Sequence, residues 1–343
     1  LNGEGTFFGK SRIALRRMNI HGRSWSYRGM CMYGCPYDLI YSTSQTLERL
    51  KLNPRFHYLG GVLVRSFIEE NECVKILAED LKTSRPLTFS ADRLFIGAGV
   101  FSTAKIILKS LDAWNTEITA KDSQYFLFPI FRWNGIAGVD TEKLNTLAQA
   151  YLEIRDLQID PNYIHLQIYS YNELYIAAIR ASLGPFLFKM LRPIVIWFIS
   201  RLLIVQGYLH SSSSGTLAIH LEAATSEKNE NLCVTGSRTS DQRDIILKIL
   251  KKLRKKGRLL RAIPLRFLLK VPATGRGFHT GGTFPMRKTP RKFETDTLGR
   301  LKGLNRTHIV DASVFPSIPA TTITFSIMAN AHRIATEAVR EIK

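Results

Sequence analysis

The sequence predicts a mixed α/β (α+β) protein in which antiparallel strands, accompanied by helices, occupy the middle of the chain. Three observations carry that expectation. Tyr163–Tyr169 and Thr216–Glu222 alternate apolar with polar residues, as strands with one buried and one wet face do. Arg93–Gly99 is an apolar run ending on glycines, and a helix-like stretch follows from about Ser102 to Lys109. Near the end, His308–Val310 leads through Pro316 and Pro319 into Ile323, Ile327, Ala331, Ile334 and Ala338 at helical spacing.

Taken in order, Phe56–Glu69 and Glu72–Glu79 read as neighbouring strands with Asn71 in a turn, and Leu94–Gly97 as a third. The Gly97-Ala98-Gly99 strand end can set backbone N–H groups against a phosphate or ring edge; tight strand–helix packing explains its glycines equally well. In the middle, Ile164, Leu166 and Ile168 share one strand face. Tyr163, His165, Gln167 and Tyr169 share the other, which either lines a substrate cavity or faces water. Leu217, Ile219 and Leu221 oppose Ala218, His220 and Glu222 in the same way. Gln206–Ser214, with His210 and four serines, reads as a flexible polar loop able to close over a site. Thr321 or Thr322 is the expected cap of the last helix, whose first N–H groups suit an electron-rich ligand edge.

Composition narrows the class. The 343 residues are enough for two domains, and 45% hydrophobic with 22% charged residues fits a globular chain rather than a disordered one. Cys31, Cys35, Cys73 and Cys233 form no dense disulfide framework, and Cys31 and Cys35 lack the further Cys or His that zinc requires, so no metal is expected. A net charge of +20 points to an acidic partner surface. No nucleic-acid motif appears, so an anionic membrane surface is the expected polyanion partner. Phe186–Val205 is apolar, but Lys189, Arg192, Pro193 and Arg201 interrupt it, and a spanning helix needs about 20 predominantly apolar residues. Asp241–Lys270 reads as a basic amphipathic helix, which either lies on anionic lipid or packs its apolar stripe on a core. The expected location is cytoplasmic, with peripheral attachment to a bacterial-type inner membrane.

Phe-His-Thr-Gly-Gly-Thr-Phe-Pro-Met at Phe278–Met286, then His308–Pro319, then Thr322–Ala335, run in the order of a known carboxy-terminal signature. This stretch resembles the glucose–methanol–choline (GMC) family of flavin oxidoreductases. Cys31–Tyr37 with Ile40-Tyr41-Ser42-Thr43 is similar to the segment that follows that family's first nucleotide-binding unit. The G-x-G-x-x-G fingerprint of such a unit does not occur here, and the chain opens on Leu1 without an initiator methionine or signal peptide. The expectation is an amino-terminally truncated chain. The resemblance implies an incomplete FAD-binding nucleotide domain, split in sequence, plus an antiparallel-sheet substrate domain with helices. The corresponding boundaries are 1–112, 113–272 and 273–343.

The implied activity is FAD-dependent oxidation of a CH–OH donor, a small alcohol or carbohydrate, by a dehydrogenase or oxidase. The electron acceptor stays open between oxygen and a quinone. By resemblance His279 is the base that takes the alcohol proton, a task suited to imidazole with its unperturbed pKa of about 6.5. The family's second active-site position, usually His or Asn, falls near Thr321 and Thr322. Thr322 can hydrogen-bond an alcohol oxygen, but it cannot share a proton as imidazole does. Val64 is expected near the adenine, Gly97, Ala98, Gly99 and Thr103 beside the dinucleotide, and Asp311, Ala312, Thr321 and Thr322 at the flavin-contacting turn. A rival from another class is a catalytically inactive basic protein bound to a membrane surface or polyanion.

Overall fold

Alternation in the middle of the chain becomes sheet register. Asp160–Tyr169 pairs antiparallel with Ala150–Asp156, setting Ile164 opposite Ile154 and Leu166 opposite Leu152, all four buried. The computed structural model describes residues 5–11, 13–16, 22, 31–139, 141, 146–170, 173–223 and 230–341. The amino-terminal expectation tied to Leu1 lies outside them. The described chain forms two units, each assembled from three stretches of sequence.

The first unit holds a six-stranded sheet in the order Thr6–Lys10, Ala150–Asp156, Asp160–Tyr169, Leu202–Tyr208, Tyr125–Arg132, Ala262–Pro264. Helix Pro185–Ile199 packs on helix Glu173–Leu183 through Val195, Ile196 and Ile199. Helix Gln242–Lys255 buries Ile246, Ile249, Leu250 and Leu253 and leaves Lys248, Lys251, Arg254 and Lys255 exposed. Its apolar stripe therefore faces protein, and Lys252 ties it to Asp156 at 2.6 Å. The helix stops at Lys255 instead of running to Lys270. Gly257–Leu260 adds one further helical turn, which Arg261 at φ 47° ends before the strand holding Pro264. His165 sits opposite Glu153 and stacks on Tyr151 at 6.0 Å, a half-buried polar layer in which burial lowers its pKa. Among the described residues no helix is long and apolar enough to cross a membrane.

Among the described residues the second unit contains three sheets. A four-stranded one runs Asn231–Ser237, Thr216–Glu222, Ile118–Asp122, Thr280–Gly281. A meander joins Val62–Glu69, Val74–Asp80 and Pro86–Ala91, and Leu94–Ile96 lies parallel to Thr307–Ile309. Leu217, Ile219 and Leu221 point into one core with Phe67, Ile107, Ile118, Phe284 and Ile309, as alternation predicts.

Four local expectations change. The first meander strand begins at Val62 rather than Phe56, because Gly61 at φ 74° breaks the extended run. Pro86–Ala91 is an additional strand; its proline occupies the first position, where the lost N–H does least harm. Gln206–Ser214 is not a flexible loop. It holds a strand end, buried Leu209 and a short 3₁₀ turn at Ser211–Ser213, with Ser211 and Ser214 buried. Those serines satisfy backbone groups, so their polarity reports internal bonding rather than solvent. Lastly, helix Thr324–Arg340 starts with Ile323 at the cap position and no side-chain cap, so neither Thr321 nor Thr322 caps it.

Candidate active site

Three distant stretches of the second unit are pinned together around His279. Strand Thr280–Gly281 pairs with Ile118–Asp122, and the Ser123 N–H donates to the His279 carbonyl at 3.0 Å. A ladder continues on the other side, where the N–H groups of Gly282, Phe284 and Met286 donate to the carbonyls of Ala312, Ser313 and Val314 at 2.8–2.9 Å. His279 therefore stands at the end of a segment bonded along both edges.

The glycines of this motif sit where neighbouring chain leaves no room for a side chain. A Cβ on Gly281 would lie 2.5 Å from the Ala312 carbonyl oxygen and from Ile318 Cδ1. One on Gly282, at φ 71°, would lie 2.9 Å from the Phe315 oxygen. Both glycines are buried. Their missing side chains let two backbones touch.

Asp311 is the second organiser. Its Oδ2 accepts from the Gly99 N–H at 3.0 Å and from Thr103 Oγ1 at 2.6 Å, and its Oδ1 accepts from the Ser313 N–H at 2.9 Å. Both carboxylate oxygens thus serve the protein's own chain first. Thr103 is buried beneath them, whereas Gly97, Ala98 and Gly99 are exposed at the start of helix Val100–Ser110. Gly99 sits at φ 86° with open space where a Cβ would be. Ala312 is buried, Thr321 is half-buried, and Thr322 is exposed just before the closing helix. Val64 is half-buried against the hydrophobic core beside a strand bulge.

Behind Asp311, His308 is fully buried and stacks on Phe95 at 4.9 Å. Arg93 can only donate, so His308 Nε2 accepts from it at 3.1 Å, and Nδ1 carries the proton to the Leu298 carbonyl at 2.8 Å. Burial holds its pKa down, in keeping with a neutral ring.

Sequence reasoning missed several participants. Asp122, almost wholly buried, accepts from the Gly275 N–H at 2.8 Å and from Thr280 Oγ1 at 3.4 Å, gripping the loop that carries His279. A Cβ on Gly277 would come within 2.5 Å of Asp122 Oδ1. Tyr208 places its ring 5.0 Å from that of His279, and Tyr125 contacts both Tyr208 and Phe278. The misread 206–214 segment supplies the scaffold: Ser211 exchanges hydrogen bonds with Ile318 in both directions at 2.9 Å, and Ser123 donates to the Leu209 carbonyl. Lys121 donates to the Pro316 carbonyl, and burial, then the charge of Arg287, lowers its pKa. Asp122, a carboxylate closing the alternating strand Ile118–Asp122, left a trace in the sequence that was not read.

Burial raises the Asp122 pKa above the usual carboxylate range, opposed chiefly by the Gly275 N–H. The folded state then holds this proton more tightly than the unfolded one. The resulting stability is complete below the unfolded pKa, about 3.9, and is lost as pH rises through the higher folded value. Asp122→Asn is expected to flatten that part of the profile. It should also cost about 1–3 kcal/mol, because an amide NH₂ would face a backbone donor. Thermal unfolding between about pH 3 and pH 7 reads both effects; an unchanged slope would show that Asp122 titrates alike in both states.

Residues 208–331, which contain His279, Asp311 and the turn between them, match the GMC oxidoreductase family. Over that stretch the chain is similar to GMC oxidoreductases. Solved structures agree in fold. Pyridoxine 4-oxidase from Mesorbium loti superposes with a TM-score of 0.55 at 16% identity, covering 80% of this chain and 57% of that one. An FAD-dependent oxidoreductase from Chaetomium thermophilum, in complex with a small-molecule fragment, gives 0.58 at 14% identity, covering 88% and 65%. The chain thus spans less than two thirds of the length of either structure. No curated protein matches it. FAD is the cofactor that the GMC match implies. The residues present are compatible with it, since helices Val100–Ser110 and Thr324–Arg340 both begin without a side-chain cap and leave first-turn N–H groups for an anionic or electron-rich ligand.

Proposed function

We propose that the chain oxidises a CH–OH donor with FAD, and that His279 removes the hydroxyl proton. Bound FAD would supply the hydride acceptor; the residues of this chain bind, orient and deprotonate the substrate. The supporting observation is the double-edged pinning of His279 within the GMC stretch. Its backbone is bonded through Ser123, and the following residues are bonded through Ala312. A base held this way does not have to be ordered when substrate arrives. Tyr208 backs the imidazole ring and fixes its tilt.

Thr322 is the proposed hydrogen-bond partner of the alcohol oxygen, placed at the exposed start of the closing helix. Gly97, Ala98, Gly99 and Thr103, with Ala312 and Thr321, form the proposed cofactor seat. Asp311 holds the parts of that seat together, and Val64 lines the sheet beside it. The nucleotide domain is then split in sequence around the substrate domain.

The test is anaerobic mixing of the FAD-loaded protein with a panel of primary alcohols and sugars. Loss of the oxidised flavin's visible absorption, with one carbonyl product formed per flavin, is the expected result. A protein that takes up FAD and is reduced by none of the panel would refute oxidation of these CH–OH donors.

A further inference from the structure

We infer that the outer face of helix Pro185–Ile199 is a docking surface for an anionic lipid bilayer. The inner face of this helix is accounted for, since Val195, Ile196 and Ile199 pack on the preceding helix. The outer face carries Phe186, Met190, Ile194 and Trp197, exposed by 82%, 63%, 64% and 53%. Their spacing of four, four and three residues puts them on one side of the helix. No ordinary solvated helix presents a stripe of a phenylalanine, a methionine, an isoleucine and a tryptophan.

The stripe continues into the sheet. Trp197 and Phe198 lie 5.8 Å and 5.6 Å from Phe131, ring centre to ring centre. Phe131 is the direct cross-strand partner of Ile263, so the two side chains leave the sheet on the same face. Ile263 in turn lines a groove of about 810 Å³ together with Leu265 and Phe267, the last exposed by 80%. One apolar strip thus runs from the helix across a strand pair to a groove.

Cations border it throughout. Lys189 and Arg192 are exposed within the helix, and Arg201 lies over the Trp197 ring at 4.2 Å. Lys248, Lys251, Arg254 and Arg266 line the groove, against the single carboxylate of Asp244. An apolar strip flanked by lysine and arginine complements a hydrocarbon boundary beneath anionic headgroups. The helix that looks most basic in sequence contributes mainly charge, because Ile246, Ile249, Leu250 and Leu253 are buried, with Leu247 and Leu250 reaching the groove wall. This proposal does not depend on the redox reading.

The test is co-sedimentation of the full chain with vesicles of phosphatidylethanolamine and phosphatidylglycerol, beside vesicles of phosphatidylcholine alone. Binding to the anionic vesicles, weakened but not abolished by salt, is expected. A Phe186→Ser, Met190→Ser, Ile194→Ser triple variant should bind about tenfold or more weakly with an unchanged far-ultraviolet circular dichroism spectrum. Because all three side chains are outside the core, the variant keeps its fold. Three outcomes would overturn the proposal. One is no vesicle binding, and another is a triple variant that binds like its parent. The third is a lipid-free dimer that the variant converts to monomer, which would assign the strip to a second copy of the chain.

Discussion

Replacing His279 with glutamine is expected to lower kcat by about 10²–10⁴-fold, the usual contribution of a positioned general base. Glutamine retains hydrogen-bonding capacity and bulk but cannot accept a proton near neutral pH. The local fold should survive, because the anchor at this position is the backbone carbonyl bonded to Ser123, which no side-chain change removes. The melting temperature is therefore expected to move little, apart from the lost ring contact with Tyr208. The informative readout is the pH profile of kcat. Its acid limb should vanish in the variant, because no imidazole remains to be protonated and inactivated. A variant within about threefold of the parent rate, with the limb intact, would remove His279 from the chemistry.

The second large effect is expected at Asp311. Alanine there leaves the Gly99 N–H, Thr103 hydroxyl and Ser313 N–H without their shared acceptor. Hydrogen bonds to a charged group contribute about 1.5–3 kcal/mol each and are not additive, so a loss of about 3 kcal/mol or more is expected in denaturant unfolding. FAD affinity should fall as well, since the Gly97–Gly99 turn loses its tether. An Asp311→Asn variant keeps one carbonyl acceptor and should restore part of both. Equal stability of the alanine variant and the parent would mean that water replaces the carboxylate at no cost.

The two effects differ in kind, and that difference explains what the sequence revealed. Short motifs whose members bond to near neighbours were legible: Leu217, Ile219 and Leu221 alternate and are buried, and the helix through Ile334 and Ala338 exists with those residues inside. Asp311 was legible as a residue of note, although its bonds to Gly99 and Thr103 cross more than 200 residues and could not be read. Asp122 reaches Thr280 across 158 residues and went unnoticed for the same reason. Composition misled at Ser211 and Ser214, where hydroxyls serve buried backbone rather than water. Gly281 and Gly282 are required by a second stretch of main chain that no local pattern announces.

The reach of the Asp311 carboxylate has a consequence for biosynthesis. A nascent chain whose Gly97–Gly99 turn has left the ribosome still lacks the acceptor that immobilises it, and must wait while the 208 residues separating Thr103 from Asp311 are translated. Throughout that interval the turn remains untethered, and premature loading of a prosthetic group has nothing to lock onto. Released chains truncated before Asp311 should lack the protease resistance around Thr103 that the whole chain has.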